Sequence, residues 1–78
     1  MKRVHFIGIG GSGLSAIARL LKENGYDVTG SDRTLSQFAI DLQNSGVSIY
    51  VGHHPRNVSG ADIVIRSSAI PDDNVEVD

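Results

Sequence analysis

The sequence predicts an α/β fold in which helices pack on a parallel β-sheet to give three layers. Three observations carry this prediction: short apolar runs alternate with helical stretches, a glycine-rich turn follows the first run, and the chain has only 78 residues, enough for one domain at most. Doubly wound nucleotide-binding units usually need more than about a hundred residues. We therefore expect a single domain over residues 1–78 that forms one part of a longer protein.

The first half of the chain reads as strand, helix, strand. Residues 4–9 form an apolar run that suits a strand buried on both faces. A helix is predicted from Ser12 to Asn24, and Gly25 supplies its end. Four apolar residues recur on one face of that helix: Leu14, Ile17, Ala18 and Leu21. Residues 27–30 read as the second strand, with Ser31 and Asp32 at its carboxyl end.

The second half repeats this pattern with less room for helices. Thr34 and Gln37 have the spacing of a capping box and predict the start of a second helix, which ends near Gly46. Its expected apolar face consists of Leu35, Phe38, Ala39 and Leu42. Residues 47–51 and 62–66 read as strands three and four, separated by a polar loop. The acidic segment 71–78 is expected to be loose.

These elements indicate a Rossmann-like unit. Right-handed crossovers make the sheet parallel, with the expected strand order 3-2-1-4 and one edge cut short. The topological switch point then lies between strands one and four, where ligands of such sheets bind. The glycine turn and Ser67-Ser68 meet at this point.

Composition excludes several functions. A formal net charge of −2 with scattered lysines and arginines offers no basic surface to nucleic acid or an anionic membrane. No apolar run approaches the roughly 20 residues that cross a bilayer. The absence of cysteine removes thiolate metal sites and is compatible with a reducing compartment. We therefore expect a cytoplasmic protein without a nucleic-acid or membrane partner.

Residue patterns of catalysis and of cofactor binding are also missing. Lys2 and Lys22 have no phosphate-loop context, so no ATP site of that type is expected. His53 and His54 are adjacent in a loop and lack a third ligand nearby, which disfavours a metal ion. We expect no catalytic residue, no metal site and no cofactor within this chain.

The glycine turn is the main candidate for ligand binding. Gly8, Gly10 and Gly13 match GxGxxG between a predicted strand and a predicted helix, the context in which this pattern binds a diphosphate. Free N–H groups and the dipole at the start of the helix favour an anion there, and Gly11 and Ser12 add a close approach and a hydroxyl. The competing interpretation is a tight turn without a ligand.

Other candidates surround this turn, each with an ordinary alternative. Asp32 lies at the end of strand two, where a carboxylate binds ribose hydroxyls or caps a helix; Arg33 beside it would instead favour a 2′-phosphate. Ser67 and Ser68 either contact a ligand across the switch point or are ordinary loop serines. His53 either contacts a base or sugar or lies in a solvent-exposed loop. His5 is expected to be a packed strand residue.

Four motifs occur in order along nearly the whole chain: His5-Phe6-Ile7-Gly8-Ile9-Gly10-Gly11-Ser12-Gly13, Gly30-Ser31-Asp32, Gly52-His53 with Asn57-Val58, and Ser67-Ser68-Ala69-Ile70. Together they resemble the start of the UDP-N-acetylmuramate:L-alanine ligase family. A related ligase that recycles murein tripeptide shares the first two motifs but usually has Asn-Ala where Ser68-Ala69 stands. The resemblance therefore favours the L-alanine enzyme.

The resemblance implies an enzyme of three domains, of which this chain is the first and binds UDP-N-acetylmuramate. A central ATPase and a C-terminal amino-acid domain would lie elsewhere, with ATP and Mg²⁺ activating the muramoyl carboxylate for attack by L-alanine. It also implies that the first domain continues into a further strand and helix. The residues it assigns to the substrate are Gly8, Gly10, Gly11, Ser12, Gly13, Asp32, His53, Ser67 and Ser68. The glycine turn with Asp32 alone leaves a second interpretation, an NAD-binding domain of an oxidoreductase or sensor.

Overall fold

The computed structural model describes residues 2–77 and forms one sheet with two helices. The elements are β1 (Arg3–Ile7), α1 (Ser12–Glu23), β2 (Asp27–Asp32), α2 (Gln37–Asn44), β3 (Ser48–Val51), a 3-10 turn (Pro55–Val58) and β4 (Ile63–Arg66). In the described part of the chain, neither helix is long and apolar enough to cross a membrane.

The four strands are parallel and lie in the order β3-β2-β1-β4. In the register of the sheet, Val4 of β1 lies between Val28 of β2 and Ile63 of β4. The predicted α/β class and the strand order 3-2-1-4 are confirmed. The predicted third layer of helices is wrong for the described residues, because both helices pack on one face of the sheet and the non-helical segments around His54 and Glu76 cover the other face. The carboxyl ends of β1 and β4 are therefore neighbours, as the switch-point prediction requires.

The apolar core lies between the sheet and the two helices. β1 contributes Val4 and Phe6, which pack with Ala18 of α1 and Leu42 of α2. Ile9 belongs to the same core, and its side chain lies where a side chain on Gly30 would stand: a Cβ atom there would be 2.7 Å from Ile9 Cβ. Gly30 is needed so that the chain after β1 can pack directly on β2.

The second face of the sheet is polar at its centre. His5, Thr29 and Ser31 are buried on this face, and residues 52–58 and 71–77 supply the groups that cover them. The prediction of a loose segment after residue 70 is wrong at Glu76, which is only 2% exposed, whereas residues 71–73 are exposed. Asp78 lies outside the described residues. Glu76 is held by hydrogen bonds to His5 and Ser31 of the sheet. The local sequence does not reveal these partners.

The two helices differ in detail from their predicted forms. α2 is capped by Ser36, whose side chain accepts a hydrogen bond from the backbone N–H of Ala39, so the capping box at Thr34 is wrong. Leu35 of the predicted apolar face precedes α2, because the helix begins at Gln37. Phe38 lies within α2 but is half-exposed. In α1 the buried residues are Ser15 and Ala18, whereas Ile17 of the predicted apolar face is half-exposed.

Candidate nucleotide-binding cleft

An open cleft of about 400 Å³ lies at the carboxyl ends of β1 and β4. Its volume falls within the roughly 300–1,000 Å³ of small-molecule sites. The residues that line it are Gly8, Gly11, Asp32, Arg33, His53, Ser67, Ala69, Ile70, Pro71 and Asn74. Five of these were candidates from the sequence, and they come from four separate segments of the chain. Pro71 and Asn74 lie in the segment that the sequence predicts to be loose.

Gly8 turns the chain at the end of β1. Its φ is +84°, a conformation that glycine adopts at little cost. The N–H groups of Gly8 and Ile9 both donate to the carbonyl oxygen of Ser31, at 2.8 and 3.0 Å. A Cβ atom on Gly8 would lie 3.1 Å from Ser67 Cβ. Gly8 thus makes the tight turn and also allows the chain after β4 to come close.

Gly10 is held by the last residue of β2 and by the loop that follows this strand. Its N–H donates to Asp32 Oδ2 at 2.8 Å, and its carbonyl oxygen accepts from Ser36 Oγ at 2.9 Å. A Cβ atom on Gly10 would lie 2.8 Å from each of these side-chain oxygens. The absence of a side chain at Gly10 therefore lets Asp32 and Ser36 approach the glycine turn. The other oxygen of Asp32 accepts from the backbone N–H of Arg33 at 2.7 Å.

α1 begins beside the cleft without a side-chain cap. Gly11 is its N-cap residue, and within residues 2–77 no acceptor takes the N–H groups of Ser12 and Gly13. These groups and the helix dipole favour an anion at this position. The side chain of Ser12 belongs to a second cavity, between α1 and α2, where Arg19 and Phe38 also lie. Neither Ser12 nor Gly13 lines the cleft itself.

Ser67 and Ser68 follow β4 but differ in position. Ser67 N–H donates to Ile7 O at 3.0 Å, which continues the pairing of the two strands. Its hydroxyl accepts from the N–H of Ala69 at 3.2 Å, and the residue lines the cleft. Ser68 is exposed and is not among the lining residues. The structure thus brings one of the two serines to the cleft.

His53 lies between the cleft and the buried polar side chains of Ser31 and Glu76. Its Nδ1 atom lies 3.2 Å from Glu76 Oε2 and 3.2 Å from Ser31 Oγ. The His53 side chain is 12% exposed, and the residue lines the cleft. His54 instead lies at the start of the 3-10 turn, where its ring accepts from the N–H of Arg56. Only one of the two adjacent histidines therefore reaches the cleft.

Glu76 is the functional candidate that sequence reasoning missed. Oε1 accepts from His5 Nε2 at 2.9 Å and from Ser31 Oγ at 2.6 Å. Oε2 accepts from the His54 N–H at 3.0 Å and from Asn57 Nδ2 at 2.8 Å, with His53 as its fifth neighbour. The only sequence signal was an acidic residue between two valines, which does not identify its partners.

The hydrogen bonds to Glu76 also set its charge. Burial by itself raises the pKa of this carboxyl group, since it disfavours the charged form. Hydrogen bonds from Ser31, Asn57 and His5 and from the backbone of His54 outweigh burial and lower the pKa to about 2. Glu76 is therefore an ionised carboxylate enclosed by donors at neutral pH.

His5 is buried in β1, in accordance with the prediction of a packed strand residue. Its Nε2 atom faces the Glu76 carboxylate, and its Nδ1 atom lies 2.8 Å from Thr29 Oγ1. Because a carboxylate only accepts, Nε2 carries a proton. His5 joins the two central strands to the segment that covers them.

The cleft offers limited means to hold ATP or a metal ion. Among the described residues, its lining contains one carboxylate, Asp32, one guanidinium, Arg33, and no lysine. Among residues 2–77, no three His, Cys, Asp or Glu side chains are grouped as metal ligands would be. The residues present fit an uncharged polar group and an anion beside α1 better than a magnesium-bound triphosphate.

Comparison with known proteins places these features in context. The model of the family described as "Mur ligase family, catalytic domain" matches residues 3–78. The chain is 53% identical over 77 residues to UDP-N-acetylmuramate–L-alanine ligase of Persephonella marina, covering 99% of this chain and 17% of that protein. It is also 53% identical over 75 residues to the ligase of the same name from Dictyoglomus turgidum, covering 96% of this chain and 16% of that protein.

Solved structures show the same similarity. UDP-N-acetylmuramate–alanine ligase of Thermotoga maritima superposes with a TM-score of 0.93 at 39% identity, over 99% of this chain and 18% of that one. A murein peptide ligase of Psychrobacter arcticus gives a TM-score of 0.84 at 29% identity, over 91% of this chain and 15% of that one. The chain thus spans less than a fifth of these relatives. The comparisons give no support to the oxidoreductase interpretation.

Proposed function

Because the chain belongs to the Mur ligase family, we propose that it is the substrate-binding domain of an ATP-dependent ligase that joins L-alanine to UDP-N-acetylmuramate. It forms the first domain of the parent enzyme, which works in the cytoplasm. The ATPase and amino-acid domains, with ATP and Mg²⁺, belong to other parts of that enzyme. One observation carries the proposal: the open cleft adjoins the uncapped start of α1 and collects residues from all four sequence motifs.

The diphosphate of the ligand binds at the start of α1. The N–H groups of Ser12 and Gly13 and the dipole of the 12-residue helix stabilise its negative charge. Gly8 and Gly10 shape the turn that presents these groups, through the contacts described above. Gly11 lines the cleft at the same place.

The uridine and sugar parts occupy the cleft. Asp32, His53 and Ser67 present a carboxylate, an imidazole and a hydroxyl to it, and these groups suit the hydroxyls and amide of a nucleotide sugar. Ser68, exposed beside Ser67, contacts the part of the ligand that extends out of the cleft. The chain's own task is to hold and orient the substrate, so that its carboxyl group reaches the other domains.

Binding can be tested by titrating the chain with UDP-N-acetylmuramate and, separately, with NADH while amide resonances are recorded. We expect saturable shifts of Gly11, Ser12 and Gly13 with the nucleotide sugar. Shifts of the same amides with NADH alone would contradict the proposal and support the dinucleotide interpretation.

Replacement of Ser12 by Glu tests the anion site with a matched control. A carboxylate in the first turn of α1 favours the helix but repels a diphosphate. We expect Ser12→Glu to bind UDP-N-acetylmuramate at least about tenfold more weakly than Ser12→Gln, which has the same length without the charge. Equal affinities in calorimetric titration would place the diphosphate elsewhere.

A further inference from the structure

We propose that Glu76 is a positioning residue that fixes the tautomer of His53 and so makes this histidine a hydrogen-bond acceptor in the cleft. The step concerning ligand binding rests on the proposed function, whereas the step concerning the tautomer does not. Glu76, although buried, thus influences how the ligand is recognised.

Glu76 has the rigidity that a positioning residue needs. Its side chain is 0% exposed, and its carboxylate is bonded to residues of β1, β2 and the loop before β4. The backbone is also held on both sides, because Glu76 N–H donates to Asn74 Oδ1 at 2.9 Å and Val77 N–H donates to Asn74 O at 2.9 Å. A carboxylate enclosed in this way has one position available to it.

The carboxylate decides which ring nitrogen of His53 carries the proton. Both oxygens of ionised Glu76 act only as acceptors, so the neighbouring Nδ1 of His53 must donate. Ser31 supports the same assignment: its hydroxyl donates to Glu76 at 2.6 Å, which leaves its oxygen to accept from Nδ1 at 3.2 Å. The neutral ring is then the Nδ1–H tautomer, although an exposed histidine side chain in water favours Nε2–H.

The proton on Nδ1 also determines what the other ring nitrogen of His53, Nε2, can bind. With the proton on Nδ1, Nε2 keeps a lone pair and accepts a hydrogen bond. Because His53 lines the cleft, the ligand group opposite it must be a donor, such as a sugar hydroxyl or an N–H of a base. A phosphate or a carboxylate would not be recognised by this tautomer.

The tautomer can be measured without any ligand. Long-range nitrogen-proton spectra of the 78-residue chain, recorded in alkaline buffer, should show the Nδ1–H form for His53. Observation of the Nε2–H form in the unmodified chain would overturn the proposal, whatever the chain binds.

Two variants of Glu76 separate positioning from packing. Glu76→Gln keeps an oxygen that can face the fixed donors of His54 and Asn57, so we expect His53 to stay in the Nδ1–H form. Glu76→Met fills similar space without an acceptor, and we expect His53 to change to the Nε2–H form. Glu23→Met at the exposed end of α1 is the control and should leave the tautomer unchanged. An unchanged tautomer in Glu76→Met would contradict the proposal.

The ligand step is tested by combining Glu76→Met with His53→Ala. If Glu76 acts through His53, Glu76→Met weakens UDP-N-acetylmuramate binding about tenfold in a chain that retains His53, as expected for one lost hydrogen bond. In a chain that already carries His53→Ala, the same substitution weakens binding less than about twofold. Equal losses in both backgrounds would mean a general structural role. Failure of the unmodified chain to bind the nucleotide sugar would refute the proposed function, while the spectra would still decide the role of Glu76.

Discussion

The Glu76 carboxylate lies against the sheet with five donors around it, and its ionisation is coupled to folding. Its pKa in the folded chain is about 2, below the ordinary value of 4.5. A carboxyl group whose pKa is lowered by folding stabilises the folded state above its unfolded pKa. That contribution is lost as the pH falls from about 4.5 to about 2.

We therefore expect acid to destabilise the chain through Glu76. The free energy of unfolding should fall by on the order of 3 kcal/mol across this range from this group alone. Urea unfolding at several acidic pH values checks this, with Glu76→Gln as the comparison because an amide does not titrate. A variant that lost stability in acid as steeply as the unmodified chain would show that other groups dominate.

Gly30 gives a second prediction for a single residue. A methyl group on it would overlap the side chain of Ile9, which is fully buried. We expect Gly30→Ala to lower the free energy of unfolding by about 1–3 kcal/mol, the usual cost of overpacking. In Gly13→Ala the added methyl group meets no atom within 4 Å, so its urea midpoint should not decrease. Similar losses of unfolding free energy in Gly30→Ala and Gly13→Ala would show that overlap with Ile9 is not the cause.

Among the elements, α2 depends on one side chain at its start. Ser36 Oγ accepts from Ala39 N–H at 3.2 Å and donates to Gly10 O at 2.9 Å. It therefore caps the helix and attaches it to the glycine turn.

Replacing Ser36 by Ala should lower the free energy of unfolding by about 1–2 kcal/mol, through loss of the cap and of the bond to Gly10. Thr34→Ala is the control, since Thr34 is exposed and precedes the cap; its effect should remain within about 0.5 kcal/mol. Urea unfolding measures both losses. A larger loss of unfolding free energy in Thr34→Ala than in Ser36→Ala would support the capping box at Thr34 that the sequence predicts.

For the whole molecule, stability depends on the segment that closes the second face of the sheet. Without Glu76, the polar groups of His5 and Ser31 would lose a partner they share, and each unpaired buried group costs about 1–3 kcal/mol. A domain of this size has little stability to lose.

We expect a chain that ends at Asp73 to be unfolded or several kcal/mol less stable, as measured by circular dichroism during urea unfolding. Asp72→Asn breaks only the exposed ion pair with Arg66 and should cost at most about 1 kcal/mol. An unchanged urea midpoint in the truncated chain would show that the segment covers the sheet without stabilising it.

The sequence by itself determined the class of the fold, the order of the strands and the position of the cleft. Apolar runs, helix periodicity and the glycine turn are local patterns, and the handedness of crossovers converts them into one topology. Asp32, His53 and Ser67 could be assigned to the cleft because each lies at or just after the carboxyl end of a strand.

Only the tertiary structure decided which polar groups meet. His5 and Glu76 are 71 residues apart, and neither carries a local signal of the other. The close approach of Asp32 to Gly10, the cap by Ser36 and the exposed position of Ser68 likewise depend on how separate loops pack. The physical reason is that a hydrogen bond between distant segments is selected by burial of the folded chain as a whole, whereas periodicity reports only on neighbouring residues.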